Sequence, residues 1–319
     1  MQMIRIVVAM LWGGLLILGV EVVSGQTYPT KPIRIITTEA GGGGDLAARL
    51  IAQGISGRLG QPVVVENRPL FLATELAAKA QPDGYTVLLN GLIVWVQPLL
   101  QKVTWDTVRD FSPVTQISTA PLVLVVHPSL PVKSVKELIA LAKATPGKIN
   151  YAASGIGTPG HMSSELFKSM TGVEMVQVSY KGTAAAITAL IANEVQVSFG
   201  NAVPVAAQLK SGKIRALAVT TSEPSKLFPG LPTVAASGLL GFEADIPSGI
   251  IAPAKTPAAI INRLNQEIVR AVNEADVKEK FFNSGVEIVG STPEQFAARM
   301  KADVTRLGKL IKDRGIRAE

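Results

Sequence analysis

The most informative segment of this chain reads Ile33-Arg34-Ile35-Ile36-Thr37-Thr38-Glu39-Ala40-Gly41-Gly42-Gly43-Gly44-Asp45. Its first five residues predict a buried strand, and the apolar residues that recur at helical spacing after Asp45 predict a helix. Four glycines without β-carbons let the backbone between them approach a ligand closely and take positive φ. Free N–H groups at a helix start are a ready anion site, and an acid suits the cap or first turn. The segment also fits a tight strand-to-helix turn that holds no ligand.

The alternation of strand and helix patterns continues along the chain. Further strands are predicted at residues 63–65, 86–89, 122–126, 149–153, 173–178, 195–199 and 214–220. Further helices are predicted near residues 74–80, 134–144, 158–170, 184–192, 257–272 and 292–312. Capping-box sequences begin at Ser134 and Thr292, and Pro257 suits a first helical turn. The pattern predicts an α/β fold with parallel sheets that are covered on both faces.

Composition narrows the class of protein. The chain has 319 residues, enough for two domains, and its 47% hydrophobic and 17% charged content is typical of a packed globular protein. It has no cysteine, which excludes disulfides and thiolate metal sites. The net charge is +7, but the basic residues are scattered and indicate solvated helix faces, so we expect no nucleic-acid partner.

The first 25 residues predict a secretory signal. Arg5 supplies the charged start, residues 6–20 form an apolar run, and small residues precede a cut near Gly25/Gln26. The run is shorter than the ~20 residues that span a bilayer, and no later segment reaches that length. We therefore expect a periplasmic protein whose mature form does not span the membrane; an uncleaved anchor is the alternative.

Signatures of catalysis are incomplete. The chain has two histidines, His127 and His161, and lacks both the His-Glu-x-x-His and Gly-x-Ser-x-Gly motifs. The glycines at 41–44 are not followed by the Lys-Ser/Thr of a phosphate loop. We predict no catalytic residue, no metal and no cofactor.

One dinucleotide-binding motif matches literally, at Gly155-Ile156-Gly157-Thr158-Pro159-Gly160. The acid that this fold needs about 20 residues later is absent, because Tyr180 and Lys181 occupy that region, and Pro159 removes one N–H from the turn. The segment therefore favours a second strand–turn–helix site for an anion or a polar group, with hydroxyls from Ser154 and Thr158.

A series of short segments completes the evidence. They are Tyr28-Pro29-x-Lys31-Pro32-Ile33-Arg34, the glycine turn with Asp45, Gly60-Gln61-Pro62-Val63-Val64-Val65-Glu66-Asn67-Arg68-Pro69, Pro82-Asp83-Gly84-Tyr85-Thr86, Asn150-Tyr151-Ala152-Ala153-Ser154-Gly155-x-Gly157-Thr158, Tyr180-Lys181-Gly182, Leu217-Ala218-Val219-Thr220 and Leu231-Pro232-Thr233-Val234. In this order they resemble the Bug (TctC-like) family, the periplasmic receptors of tripartite tricarboxylate transporters, over essentially the whole mature chain.

The resemblance implies a periplasmic-binding-protein type II fold. Two α/β lobes joined by two crossing strands would enclose a ligand by hinge closure. Residues 26–122 and 225–319 would form lobe 1, and residues 123–224 would form lobe 2. The implied function is a monomeric, non-catalytic receptor that captures a small organic acid, such as a carboxylate, for the permease subunits in the inner membrane.

The resemblance also implies the ligand-binding residues. In lobe 1 they would be Gly41, Gly42, Gly43, Gly44, Asp45, Asn67, Thr74, Asn90 and Gly91. In lobe 2 they would be Ser154, Gly157, Thr158, His161, Tyr180, Lys181 and Asn201. Lys181 could neutralise an anion or be solvated, and both His161 and Tyr180 could touch the ligand or pack structurally.

Two departures leave alternatives open. Leu70-Phe71-Leu72-Ala73 replaces a glycine-rich family loop, so this rim either holds an apolar part of the ligand or is closed. Glu39 lies where the family has an aromatic residue; it points away, pairs with a cation, or favours a neutral or amine-bearing ligand. An exported enzyme using His161, Ser154 and Lys181, and a periplasmic sensor for a two-component system, are the alternative functions.

Overall fold

A computed structural model describes residues 28–317, so the predicted signal and its cleavage site lie outside the described residues. The strands are β1 (Ile33–Thr37), β2 (Val63–Asn67), β3 (Thr86–Gly91), β4 (Phe111–Ala120), β5 (Leu122–Val126), β6 (Ile149–Ala153), β7 (Met175–Ser179), β8 (Val197–Asn201), β9 (Arg215–Val219), β10 (Ile246–Pro253) and β11 (Glu287–Ile288). The helices are α1 (Gly43–Leu59), α2 (Leu70–Ala78), α3 (Leu92–Leu100), α4 (Val135–Ala144), α5 (Pro159–Thr171), α6 (Thr183–Ile191), α7 (Ala202–Lys210), α8 (Ala258–Val272), α9 (Ala275–Asn283) and α10 (Pro293–Arg314). None of these helices is both long and apolar enough to cross a bilayer.

The strands form two separate sheets. The first has the order β11-β4-β10-β3-β1-β2, and the second has the order β7-β6-β8-β5-β9. Strand β1 runs parallel to β2 and β3, and β6 runs parallel to β7 and β8. In contrast, β10 runs antiparallel to both β3 and β4, and β5 runs antiparallel to both β8 and β9. The prediction of parallel sheets is therefore wrong for the strands next to the crossings. Strands β5 and β10, which follow the two connections between the sheets, run in the opposite direction to their neighbours.

Two crossings connect the sheets. Strand β4 passes through Pro121 directly into β5, and the chain returns at residues 244–246 into β10. The crossings lie side by side, since Ile246 is the register partner of Ala120 and the Ala244 N–H donates to the Thr220 carbonyl at 3.0 Å. This pair of adjacent strands is the structural hinge between the two halves of the fold.

Apolar side chains cover both faces of each sheet. Clusters around Ile51 and Trp95 flank the first sheet, and clusters around Phe167 and Leu190 flank the second. The five residues of β5 are fully buried, which explains why this strand reads as a continuous apolar run.

The segment between the last strand of the second sheet and β10 packs on the second sheet. Phe228, Val234 and Phe242 are buried in its cores. The predicted lobe boundary at 224/225 assigns these residues to lobe 1, which their packing contradicts. We therefore propose a division in which lobe 2 continues to the return crossing near Ala244.

A charge cluster holds α10 against the crossings. The Arg299 guanidinium contacts Glu243 at 3.1 Å and Asp303 at 2.8 Å, and it also pairs with Asp245. Asp245 in turn accepts a hydrogen bond from the Thr119 hydroxyl of β4. One arginine thus joins the last helix to both strands of the hinge.

Candidate functional site

The glycine turn leaves backbone donors free. Gly41 has φ +80°, and α1 begins at Gly43 without a side-chain cap. The Gly41 N–H donates to the Asp45 carboxylate at 2.9 Å. The N–H groups of Gly43, Gly44 and Asp45 donate to no acceptor within residues 28–317. The helix start therefore presents unpaired donors, as its sequence predicts.

Asp45 and Asn67 hold this turn in place. Asp45 accepts hydrogen bonds from Arg49 at 3.0 Å and Asn67 at 3.0 Å, besides that from Gly41. The Arg49 hydrogen bond, followed by those from Gly41 and Asn67, lowers the pKa of Asp45 to about 2. The Asn67 amide also donates to the Thr38 carbonyl at 2.7 Å. Both residues were predicted ligand contacts, yet their polar atoms are already paired within the protein.

A cleft of about 360 Å³ opens between the two sheets. Its walls come from the ends of β1 and β3, the starts of α1 and α3, both crossing strands, Pro159 of α5, and the end of α9 with the loop that follows it. Among the described residues that line it, none carries a charge. The polar lining side chains are Thr37, Thr38, Asn90, Ser118, Ser248 and Ser284, and the larger apolar ones are Leu46, Leu89, Leu92, Ile93, Ile246, Phe281 and Val286.

Two buried polar atoms in this cleft have no partner within residues 28–317. They are the Thr37 hydroxyl and the Asn90 amide nitrogen. A β-carbon added at Gly44 would lie 2.9 Å from the Thr37 hydroxyl, so this hydroxyl adjoins the glycine backbone. An unpaired buried polar group costs about 1–3 kcal/mol, so these atoms are positions where ligand oxygens would be stabilised.

Two helices direct their positive ends to the same place. Gly43 and Gly44 of α1 line the cleft, as do Leu92 and Ile93 at the start of α3. The residue before α3 is Gly91, which offers no side-chain cap. Each helix N-terminus favours an anion by roughly 0.3–1 kcal/mol. The cleft is therefore electropositive although no lysine or arginine lines it.

The facing side of the second sheet has a smaller cavity of about 90 Å³. Three predicted residues, Ser154, Thr158 and Asn201, line it together with Thr183. Thr158, Thr183 and Asn201 lie at the starts of α5, α6 and α7, so helix N-termini converge here as well. Ser154 directly follows β6. Pro159 lines both this cavity and the main cleft, so the two are adjacent.

Two predicted contacts serve packing. The Thr74 hydroxyl is fully buried and donates to the Leu70 carbonyl at 2.9 Å within α2. Gly157 has φ +77°, and a β-carbon there would lie 2.3 Å from a methyl group of Leu100 on α3. Gly157 is thus required where the two halves of the fold touch, and neither residue lines the cleft.

Three more predicted side chains do not line it either. His161 is 3% exposed, accepts the Gly157 N–H at 3.3 Å, and has a pKa lowered by burial. Tyr180 donates to Glu194 at 3.2 Å. Lys181 is exposed to solvent. Gly41 and Gly42 belong to the turn but do not line the cleft, whereas Asn90 and Gly91 do line it.

Both sequence departures lie outside the cleft lining. Glu39 is exposed, which agrees with the alternative in which it points away. Residues 70–73 form the first turn of α2, so this helix starts earlier than predicted. Phe71 packs its ring 5.9 Å from that of Trp105 and does not line the cleft.

Other lining residues were not predicted from the sequence. Thr37 ends the strand that leads into the glycine turn, so its position was a visible signal. Ser118 and Ser248 lie on the crossing strands and belong to no motif. Phe281 and Val286 reach the cleft because the end of α9 and the loop after it pack into the same apolar cluster as α1.

The model of the tripartite tricarboxylate transporter family receptor matches residues 47–316. The chain belongs to this receptor family. BugT of Bordetella pertussis is 35% identical over 301 residues, which cover 92% of each chain. Among solved structures, R. palustris Rpa4515 with adipate is 34% identical, with a TM-score of 0.73 over 91% of this chain and 99% of that one. The chain is therefore a solute-binding protein of the Bug and TctC type.

Two further family structures differ in ligand state. MatC from Rhodopseudomonas palustris with bound malate is 26% identical, with a TM-score of 0.71 over 89% of this chain and all of that one. A TctC solute-binding protein from Polaromonas without ligand is also 26% identical, with a TM-score of 0.81 over 90% of this chain and all of that one. At equal identity, the arrangement of this receptor is more similar to the ligand-free protein.

Proposed function

We propose that this receptor captures a small organic acid in the periplasm and delivers it to the permease subunits of a tripartite tricarboxylate-type transporter. One observation carries the proposal. The Thr37 hydroxyl, the Asn90 amide nitrogen and the N–H groups of Gly43 and Gly44 all lack partners among residues 28–317 and meet at one uncharged cleft. This is a donor set for a carboxylate, which accepts several hydrogen bonds at once.

The carboxylate would be held by neutral donors and helix dipoles. Hydrogen bonds to a charged group contribute about 1.5–3 kcal/mol each, so a few of them suffice without an arginine. A cleft of about 360 Å³ is within the usual range for small-molecule sites. The related structures of Rpa4515 with adipate and of MatC with bound malate both contain a carboxylic acid.

Closure of the second half would complete the site. Ser154, Thr158 and Asn201 line the facing cavity and would contact the ligand when the crossing strands bend. The greater similarity to a ligand-free relative supports an open arrangement here. Direct ligand contact by His161, Tyr180 or Lys181 has no support in their positions.

A non-catalytic role agrees with the chemistry of the site. The relatives named above are solute-binding proteins. His161, the base of the enzymatic alternative, is buried, already accepts a hydrogen bond and has a lowered pKa. A sensor would bind ligand in the same cleft, so uptake of a labelled acid distinguishes the two roles. In cells that express the permease constitutively, deletion of a transport receptor abolishes uptake, whereas deletion of a sensor leaves uptake intact.

The binding proposal is tested by thermal shift of the mature chain against mono-, di- and aromatic carboxylates. At a ligand concentration a hundredfold above Kd, binding adds about 2.7 kcal/mol to the free energy of unfolding. Thr37→Val replaces the unpaired hydroxyl with a methyl group of similar size, so the ligand-free protein should keep its stability while the ligand-induced shift shrinks.

Thr115→Val is the matched control. The Thr115 hydroxyl is also fully buried, but it donates to the Ser291 carbonyl at 2.8 Å. This variant should lose stability and keep the ligand-induced shift. The proposal fails if no carboxylate shifts the wild-type protein, or if Thr37→Val and Thr115→Val respond alike.

A further inference from the structure

Two serines form a polar pair on the crossing strands. Ser118 of β4 and Ser248 of β10 are direct register partners, and both line the cleft. Register partners in an antiparallel pair point to the same face, with β-carbons about 5 Å apart. The two side chains are therefore neighbours on the floor of the cleft.

Both hydroxyls are available to a ligand. Neither donates to nor accepts from any atom within residues 28–317, although Ser118 is 3% exposed. Ser284, the remaining lining serine, instead donates to the Phe281 carbonyl at 2.7 Å. A buried hydroxyl that has no partner and lines a cavity indicates a ligand atom that would complete it.

The pair lies at a defined distance from the carboxylate site. Ser248 is the register partner of Gly91 at the end of β3, beside the unpaired amide of Asn90. Neighbouring strands are about 4.8 Å apart, so Ser248 is one strand spacing and Ser118 two spacings from β3. The unpaired polar groups thus extend across the sheet edge for roughly 5–10 Å beyond the first binding point.

We propose that Ser118 and Ser248 bind a second oxygen function of the ligand, a hydroxyl or a second carboxylate carried about one to two strand spacings from the first. This inference rests on the proposed function of the cleft. It assigns the ligand to organic acids with two oxygen functions rather than to simple fatty or aromatic monoacids.

The position of the serines links recognition to the hinge. Both residues belong to the strands that connect the two sheets, so a ligand held by both hydroxyls contacts each crossing. A bifunctional ligand would therefore bind the floor of the cleft before the second half of the fold closes on it.

The test measures Kd by calorimetry for hexanoate, ω-hydroxyhexanoate and adipate, which share one chain length and differ only at the far end. Wild-type protein should bind both bifunctional acids more tightly than hexanoate. For ω-hydroxyhexanoate, each of Ser118→Ala and Ser248→Ala should weaken binding about three- to tenfold, the effect of one neutral hydrogen bond. Affinity for hexanoate should stay unchanged.

Ser112→Ala is the matched control, because Ser112 lies on the same strand β4, is half-buried and does not line the cleft. It should change none of the three affinities. Equal binding of all three acids to the wild-type protein would overturn the inference while leaving the proposed function intact. The inference would also be overturned if the bifunctional acids still bound more tightly than hexanoate to the double variant Ser118→Ala/Ser248→Ala but no longer did so to Thr158→Val. Absence of binding by every acid would refute the proposed function itself.

Discussion

Gly43→Asp should abolish ligand binding while raising the stability of the ligand-free protein. Gly43 is the first residue of α1 and lines the cleft. A β-carbon added there meets no atom within 4 Å, and its φ is not in the left-handed region. The new carboxylate would therefore fit without strain and occupy the place where the ligand's carboxylate is expected to bind.

The two effects have opposite signs. An acid in the first helical turn stabilises by about 0.3–1 kcal/mol, and replacing glycine at a compatible position adds about 0.4–1 kcal/mol. The midpoint of thermal unfolding should thus rise by roughly 2–6 °C. The ligand-induced gain, about 2.7 kcal/mol at a hundredfold excess over Kd, should vanish because two carboxylates would share one donor set.

Differential scanning fluorimetry with and without ligand measures both quantities. Gly57→Asp is the control, since Gly57 is exposed in the last turn of the same helix and also has no atom within 4 Å of an added β-carbon. There the acid opposes the dipole, so stability should change little and binding should not change at all. A Gly43→Asp protein that keeps the full ligand-induced shift would refute the anion site at the glycine turn.

Three further predictions concern the hinge and the turn. In Gly285→Ala the added methyl would lie 2.5 Å from a methyl of Val203 on the second half of the fold, so ligand affinity measured by calorimetry should fall. Adding Val203→Ala to this variant should restore binding. Gly241→Ala is the control, because Gly241 has a similar positive φ with nothing within 4 Å of an added β-carbon, and it should keep its affinity. The pKa of Asp45 is about 2, below the usual ~3.9 of an unfolded chain, so its contribution to stability is complete above about pH 4 and is lost as the pH falls toward 2. In Asp45→Asn, the free energy of unfolding measured in urea should therefore fall less between about pH 4 and pH 2 than in the wild-type protein. An unchanged fall would contradict the ion-pair assignment. Arg299→Met would leave the buried Asp245 carboxylate without its cation, whereas Asp303 would keep its pair with Arg306. The variant should lower the free energy of unfolding by about 3–5 kcal/mol in denaturant titrations, whereas a loss under about 1 kcal/mol would show that the cluster is not buried in solution.

Local patterns predicted most strands and helix starts. The bounds of β1, β5 and β6 agree with the sequence pattern, because short apolar runs between turn residues have few other solutions. The capping box at Thr292 forms with Gln295 as predicted, since both of its hydrogen bonds are local.

Elements that depend on distant contacts were not predicted. Strand β4 mixes threonine, serine and glutamine with apolar residues, so it lacks a period-two pattern, yet it pairs with β10 along eight positions. Helix α3 is apolar on most sides and contains Pro98, which obscured its period. Both elements are explained only by the partners that bury them.

The sequence alone determined that a helix follows the glycine run and begins near Asp45, because that property is local; the structure begins it two residues earlier, at Gly43. Tertiary structure decided which polar groups stay unpaired. It engaged Asp45 and Asn67 within the turn, and it brought Thr37, Ser118 and Ser248 to the cleft from different strands. Whether a donor is free depends on every neighbour that folding brings near it, and no local pattern records those neighbours.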